Sequence, residues 1–325
     1  MLTADALISA VDRYTHIVIA GHVNPDGDAV GACFAMALFA AQRGKQPRIL
    51  LGTYPPQYDV LRGGEFLWPG DWNDIPCELF IALDCGGVSR LGDAVPVFDR
   101  AACTINIDHH ASNNGFAVHN AVDVGKSSTS ELLYTLLQNE PLSVDMAAAL
   151  FAGISFDTGG FRHPSATAET FEAVAALLRV GINASDIQRR MLYTHSMPAT
   201  RIFSAALGKA AFSPNAPIVY AALTHADMDA AGALPLHLEG IVEHLLDIDG
   251  ACASILVSER EKGVCKVSLR SRGLNMNTIA AGFGGGGHIN AAGATIPGTA
   301  DEALALILTA CEEGWKAYEI QNNGC

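Results

Sequence analysis

Short apolar runs alternate with longer stretches of helical period through the first part of the chain. His16–Gly21 (HIVIAG) is β-branched and apolar, which predicts a buried strand. Ala29–Gly44 follows with an Ala-rich helical pattern that stops at Gly44, close to Pro47. Pro47–Leu51, Leu79–Leu83 (LFIAL) and Cys103–Ile107 (CTINI) predict further strands. Helices are predicted near Ser128–Gln138, Val144–Phe151, Ala168–Val180 and Ala184–Leu192. Strands alternating with helices predict an α/β domain around an open, mainly parallel sheet.

The pattern breaks around Thr194–Ser213, where a predicted helix (Ala199–Phe212) runs into Ser213, Pro214, Asn215 and Pro217. The expected division is a first domain over 1–193, a linker over 194–213 and a second domain over 214–325. The second part predicts strands at Ile218–Leu223, Cys252–Ser258 and Cys265–Arg270, and helices near Leu236–Leu246, Met276–Gly282 and Asp301–Tyr318. That mixture indicates a smaller α/β domain. The polar tail Gln321–Cys325 is expected to fray.

Composition narrows the function. Half the residues are apolar, enough for sizeable cores. No apolar run approaches a membrane span, and the N-terminus has no basic n-region, so a cytoplasmic protein without a membrane partner is expected. None of the eight cysteines forms a CxxC pair, which argues against a zinc ribbon or a redox motif. The net charge of −14 argues against a protein that tracks long nucleic acid, since phosphate binding there runs on Lys and Arg. A small anionic ligand stays open, because a few arginines, metal ions and backbone N–H groups can hold one or two phosphates.

The acids and histidines fall in a telling place. His22, Asp26 and Asp28 follow the first predicted strand, Asp84 ends the third, and Asp108, His109 and His110 end the fourth. Asp157 stands in FDTGGFRH, expected as a loop between helices. Singly, each has an ordinary structural reading: Asp26 or Asp28 as a helix N-cap, Asp84 as a strand terminus, His22 as a hydrogen-bonded loop residue. Together they bring carboxylates and imidazoles to one edge of a sheet, where α/β folds bind ligands. Mixed Asp and His donors without thiolate suit Mn²⁺, Fe²⁺, Co²⁺ or Zn²⁺. The candidates are too many for one ion, and four carboxylates balance two divalent cations in charge. Such a pair activates water and clamps a phosphoryl group.

A second constellation lies in FGGGGHINAAGA, residues 283–294. Gly282–Gly287 matches G-x-G-x-x-G literally, but it follows a helical segment rather than a strand, so a dinucleotide fingerprint is not indicated. Consecutive glycines let the backbone turn several N–H groups toward an anion. With His288 after them and Arg270 and Arg272 upstream in SLRSR, they form either a phosphate or nucleotide pocket or a flexible turn beside solvated arginines.

HVNPDGDAVGA, ALDCGG, IDHHASN and FDTGGF resemble the successive motifs of the DHH phosphoesterase family, and SLRSR with NMNTIAAGFGGGGHINAAGA resembles its DHHA1 domain. The resemblance spans almost the whole chain, and its length is similar to the bacterial nanoRNase/pAp-phosphatase group. It implies a DHH catalytic domain and a DHHA1 substrate-binding domain with a cleft between them that measures substrate length. It further implies that His22 and Asp26 hold one Mn²⁺, that Asp28, His109 and Asp157 hold a second, and that Asp84 bridges them. Asp108 would orient His109, and His110 would face the scissile phosphate. Arg270, Arg272, Gly285, Gly286 and His288 would bind a substrate phosphate or terminal nucleotide. Relatives often carry an acid where Asn275 stands, and some an Arg at the position of Gly160. The implied activity is hydrolysis of di- to pentanucleotide RNA to 5′-mononucleotides and of pAp to AMP, in a homodimer. A cyclic or linear dinucleotide phosphodiesterase is the alternative; an inorganic pyrophosphatase or a non-catalytic nucleotide sensor fits less well.

Overall fold

Strands that are apolar on both faces need cover on both sides, and the first sheet has it. The computed structural model describes residues 2–322, and the chain divides into two units, Met1–Thr194 and His195–Cys325. The first unit runs α1 (Ala4–Arg13), β1 (His16–Ala20), α2 (Gly27–Gln42), β2 (Gln46–Leu50), β3 (Leu79–Leu83), α3 (Val95–Arg100), β4 (Cys103–Asp108), β5 (His119–Val122), α4 (Thr129–Leu137), α5 (Val144–Asp157), α6 (Ala168–Val180) and α7 (Ala184–Leu192). Its five strands pair in the order β2-β1-β3-β4-β5, all parallel. Ile17, Ile19, Ile81 and Ile105 pack into a core with α2, α4 and α5 on one face. Val18, Phe80 and Ala82 pack against Val97, Phe98 and Leu91 on the other. The parallel α/β sheet expected from the alternating pattern is present.

The helices α2 and α5 lie against each other through glycine. A Cβ at Gly31 would stand 2.5 Å from the Ala149 carbonyl oxygen, so only hydrogen fits there. Three elements carried too little pattern to be read: α1 is a short amphipathic helix burying only Leu7 and Val11, α3 is six residues long, and β5 is a four-residue edge strand with one fully buried side chain, Ala121.

The second unit runs α8 (Met197–Gly208), β6 (Ala211–Phe212), β7 (Ile218–Leu223), α9 (His225–Ala231), α10 (Ile241–Leu246), β8 (Ala253–Glu261), β9 (Val264–Ser271), α11 (Met276–Ala281), β10 (Gly286–Gly287), β11 (Ala291–Pro297) and α12 (Ala300–Asn322). Its six-stranded mixed sheet has the order β10-β11-β9-β8-β7-β6, with β7 and β8 parallel and the other neighbours antiparallel. One face packs on α11 and α12, and the other packs on α8, α9 and α10. The segment expected as a linker holds α8, whose Ile202 and Ala206 enter this unit's core. The helix expected over Leu236–Leu246 is split: a 3-10 turn covers Pro235–Leu238, and α10 begins after Gly240, which sits at φ +82°.

Seven cysteines are free thiols. Cys325 and the end of the tail lie outside the described residues. Among the described residues, no helix is long and apolar enough to cross a membrane.

Candidate metal centre

The loop from β1 to α2 makes two donors from one short segment. Asp26 N-caps α2: its Oδ1 accepts from the backbone N–H groups of Asp28 (3.0 Å) and Ala29 (3.2 Å). Its Oδ2 is left 3.5 Å from His22 Nε2. On the far side of that ring, Nδ1 lies 2.8 Å from the Val23 carbonyl, which can only accept. The neutral ring therefore carries its proton on Nδ1 and turns the Nε2 lone pair inward. Asp84 Oδ2 lies 3.4 Å from the same Nε2.

Asp84 joins two groups of donors. Its Oδ1 stands 3.7 Å from His109 Nε2 and accepts from the Thr129 hydroxyl at 3.0 Å. His109 Nε2 is 3.1 Å from Asp157 Oδ2, and its Nδ1 is 3.3 Å from the Lys126 carbonyl. His22, Asp26 and Asp84 each place a ligand atom within 4.8 Å of the others; so do Asp28, His109 and Asp157, and so do Asp84, His109 and His110. The structure thus brings together His22, Asp26, Asp28, Asp84, His109, His110 and Asp157 as donors, and leaves Asp108 behind them, bonded to His110. Donors about 2.1 Å from one ion stand roughly 3.0–3.5 Å apart, and the spacing here is of that order.

Two expectations change. Asp157 is the last residue of α5 rather than part of a loop; the glycines that suggested a loop begin two residues later, with Gly159 at φ +58° and Gly160 at φ +68°. A side chain at Gly160 would be strained in that conformation, which accounts for glycine there. Asp108 was expected to orient His109. Instead its Oδ1 meets His110 Nδ1 at 2.7 Å, and its Oδ2 accepts from Asn113 Nδ2 at 2.7 Å. The strand ends at Asp108, and the chain turns after it so that the carboxylate reaches the second histidine and not the first.

The backbone is strained where the donors sit. Among the described residues, Asn24, Asp84 and Phe161 are the non-glycine residues with positive φ, at 56°, 58° and 70°. All three lie in the donor-bearing segments. A left-handed residue other than glycine costs of the order of 1–2 kcal/mol and persists where the surroundings hold it.

The electrostatics favour cations. Burial pushes Asp28 well above the usual carboxylate range, and the charges of Asp84 and Asp157 add to it. Burial likewise raises Asp157 to about 6. Burial opposes charge on His22 and His109, yet the surrounding aspartates overcome it and lift both to about 10. Carboxylates this crowded take up positive charge from protons when nothing else supplies it, and a pair of divalent cations would fill the same need. The donor set, all oxygen and imidazole, fits such ions.

The strand-end pattern missed one contributor. Thr129 and Ser130, at the N-terminus of α4, give their backbone N–H groups to Asp28 Oδ2 (2.6 Å) and Oδ1 (2.9 Å). The N-terminus of a helix suits an anion in this way. The signal was available in Ser128-x-x-Glu131, which announces a helix start.

In the second unit, the glycine run is part of the sheet. Gly286 and Gly287 pair with Gly293 and Ala292 of β11, and Ala291 pairs in turn with Arg270 of β9. A Cβ at Gly285 would be 2.2 Å from the Gly293 carbonyl oxygen, so the two backbones touch. His288 is exposed, and its N–H donates to the Ala291 carbonyl at 2.7 Å, which brings His288 and Arg270 to the same end of the sheet. Arg270 Nε and Nη2 both lie 2.8 Å from Glu243 Oε1, and Arg272 Nη2 lies 3.5 Å from Asp247, four residues on along α10 and its C-cap. Asn275 N-caps α11 through Thr278 N, a role an acid would fill equally.

Residues 16–154 match the model of the DHH family, N-terminal domain, and residues 215–313 match that of the DHHA1 domain. A bifunctional oligoribonuclease and PAP phosphatase NrnA of Thermus thermophilus is 32% identical over 91% of this chain and 89% of its own. A protein of the same description from Bacillus subtilis is 27% identical over 94% and 98%. The crystal structure of an exopolyphosphatase-related protein from Bacteroides fragilis superposes with a TM-score of 0.89, at 26% identity and 97% coverage of both chains.

Proposed function

Because the chain belongs to the DHH family, with a DHHA1 domain in its second unit, we propose that it is a metal-dependent phosphoesterase. Its substrates are RNAs of two to five nucleotides, cut to 5′-mononucleotides, and pAp, cut to AMP. The observation that carries this reading is the convergence of His22, Asp26, Asp28, Asp84, His109 and Asp157 on one edge of the sheet, in two donor groups that Asp84 joins. The similarity to NrnA along nine-tenths of both chains supports the substrate class.

In this reading His22 and Asp26 would hold one divalent cation, Asp28, His109 and Asp157 would hold a second, and Asp84 would serve both; oxygen and imidazole donors favour Mn²⁺. Such ions supply the Lewis acidity that makes water nucleophilic near neutral pH and offsets charge on the phosphoryl group. The protein's own residues do the rest. His110, half exposed and held by Asp108, meets the phosphate and gives a proton to the leaving oxygen from Nε2. Arg270, Arg272, His288 and the N–H groups around Gly285 and Gly286 take a substrate phosphate. Glu243 pre-orients the Arg270 guanidinium for that task. The acidic remainder of the surface, at −14 overall, disfavours long RNA. The enzyme works in the cytoplasm as a homodimer.

Phosphate release from pAp and cleavage of a diribonucleotide, both with Mn²⁺ and with EDTA, test the proposal. Metal-dependent turnover of both is expected; a protein inert on both but active on cyclic di-AMP would move the function to second-messenger turnover.

A further inference from the structure

Lys126–Ser130, the turn leading into α4, touches three of the candidate ligands without supplying one. The Lys126 carbonyl faces His109 Nδ1, the Thr129 and Ser130 N–H groups hold the two Asp28 oxygens, and the Thr129 hydroxyl holds Asp84 Oδ1. What holds the turn is a buried carboxylate. Glu131 is 1% exposed. Its Oε2 accepts from the Ser127 N–H (3.1 Å), the Ser127 hydroxyl (2.6 Å) and the Thr170 hydroxyl (2.8 Å), while its Oε1 meets Lys126 Nζ at 3.1 Å. A buried carboxylate is tolerated only when it is paired and hydrogen-bonded, as this one is.

The bonding goes beyond what capping α4 requires. Ser128 caps the helix by accepting from the Glu131 N–H at 2.9 Å. In an ordinary capping box the acid would return to the N–H of the cap residue. Here it goes one residue further, to Ser127, and grips Lys126 by the side chain, so the residue whose carbonyl meets His109 is held from both ends. Through Thr170 it also ties α4 to the start of α6, the helix that follows the Asp157 segment.

We propose that Glu131 is a positioning residue of the metal centre: it locks the 126–130 turn so that His109 presents Nε2 and Asp28 and Asp84 keep their orientation. This rests on the two-metal reading above. Groups that orient metal ligands typically change metal affinity about 10–100-fold when removed.

The test is direct Mn²⁺ binding, by calorimetry and by the EPR signal of free Mn²⁺, on metal-stripped wild type, Glu131→Ala and Glu131→Gln, with thermal melts of each metal-free protein. Glu131→Ala is expected to bind Mn²⁺ about 10–100-fold more weakly. Glu131→Gln keeps an oxygen for Ser127 and Thr170 but sets an amide N–H₂ against Lys126, so its expected loss of affinity is smaller. A merely structural role would lower the melting temperature and leave the affinity unchanged well below it. Wild-type affinity in folded Glu131→Ala overturns the positioning role alone. Should the alanine protein not fold, wild-type affinity in Glu131→Gln overturns it instead. A wild-type protein that takes up no Mn²⁺ overturns the two-metal reading, and the positioning role with it.

Discussion

Asp108 and His110 meet at 2.7 Å through Oδ1 and Nδ1, and Asp108 is itself fully buried and fixed by Asn113. The hydrogen bond raises the His110 pKa, with burial opposing it. A histidine that donates a proton during turnover loses activity as pH rises through its pKa. Asp108→Asn should therefore move the alkaline limb of the pH–rate profile to lower pH and reduce kcat by about 10²-fold or more. The profile of kcat against pH for both proteins checks this. An unmoved limb would remove His110 from proton transfer.

Asp84 is the one carboxylate shared by the two donor groups. Asp84→Asn should abolish turnover of every substrate alike, at a cost of several kcal/mol in the transition state, or about 10³-fold or more. Arg270→Ala should instead raise KM and leave Mn²⁺ binding as it was. Parallel kinetics on pAp and a diribonucleotide, with Mn²⁺ titrations, separate the two effects.

Metal uptake should be linked to protons. His22 and His109, at about 10 in the metal-free protein, must lose protons to bind a cation, so Mn²⁺ affinity should rise with pH between 7 and 10. Calorimetry in buffers of different ionisation enthalpy counts the protons released. The sign for stability is opposite. Because these pKa values lie above 6.5, the stability they contribute to the metal-free protein is complete below pH 6.5 and is lost as pH rises through 10. Asp157, raised to about 6, acts the same way in a lower window: its contribution is present below 3.8 and lost as pH rises through 6. Urea midpoints in EDTA should therefore fall as pH rises from 7 to 10, the window of the two histidines; in the acid window the carboxylates held low, Asp108 and Glu131 among them, act against Asp157.

Gly153 marks how tightly α5 presses on the centre. A Cβ there would stand 2.0 Å from Ser130 Oγ and 2.7 Å from Asp28 Oδ1. Gly153→Ala should cost about 1–3 kcal/mol despite the better helix propensity of Ala, and should weaken Mn²⁺ binding by displacing Asp28. Gly208→Ala, at the end of α8 with open space around it, is the control and should do neither. Denaturant midpoints and Mn²⁺ titrations of the two variants decide.

The strands of the first sheet were legible because each is a short apolar run, and their ends pointed directly to His22, Asp84 and His109. The rings' partners were not legible: adjacency in DHH does not say which histidine Asp108 meets, because that depends on where the chain turns after β4. Asp157 looked like a loop residue because Gly159 and Gly160 follow it, although the helix holds until Asp157 itself. In the second unit, β10 is two glycines and β11 opens on Ala-Ala-Gly-Ala with no alternation of polarity, so nothing there distinguished strands from a flexible turn. Glu131 reads in sequence as an ordinary residue of an amphipathic helix; only the fold reveals that its carboxylate is buried beside the centre.

The most direct test of the account is product analysis after incubating the pure protein with Mn²⁺ and 5′-labelled RNAs from dimer to long oligomer, with pAp and cyclic di-AMP alongside. Rapid conversion of the shortest RNAs to mononucleotides, release of phosphate from pAp, and slow or absent cleavage of long RNA are expected. Diribonucleotides left intact under these conditions would contradict it.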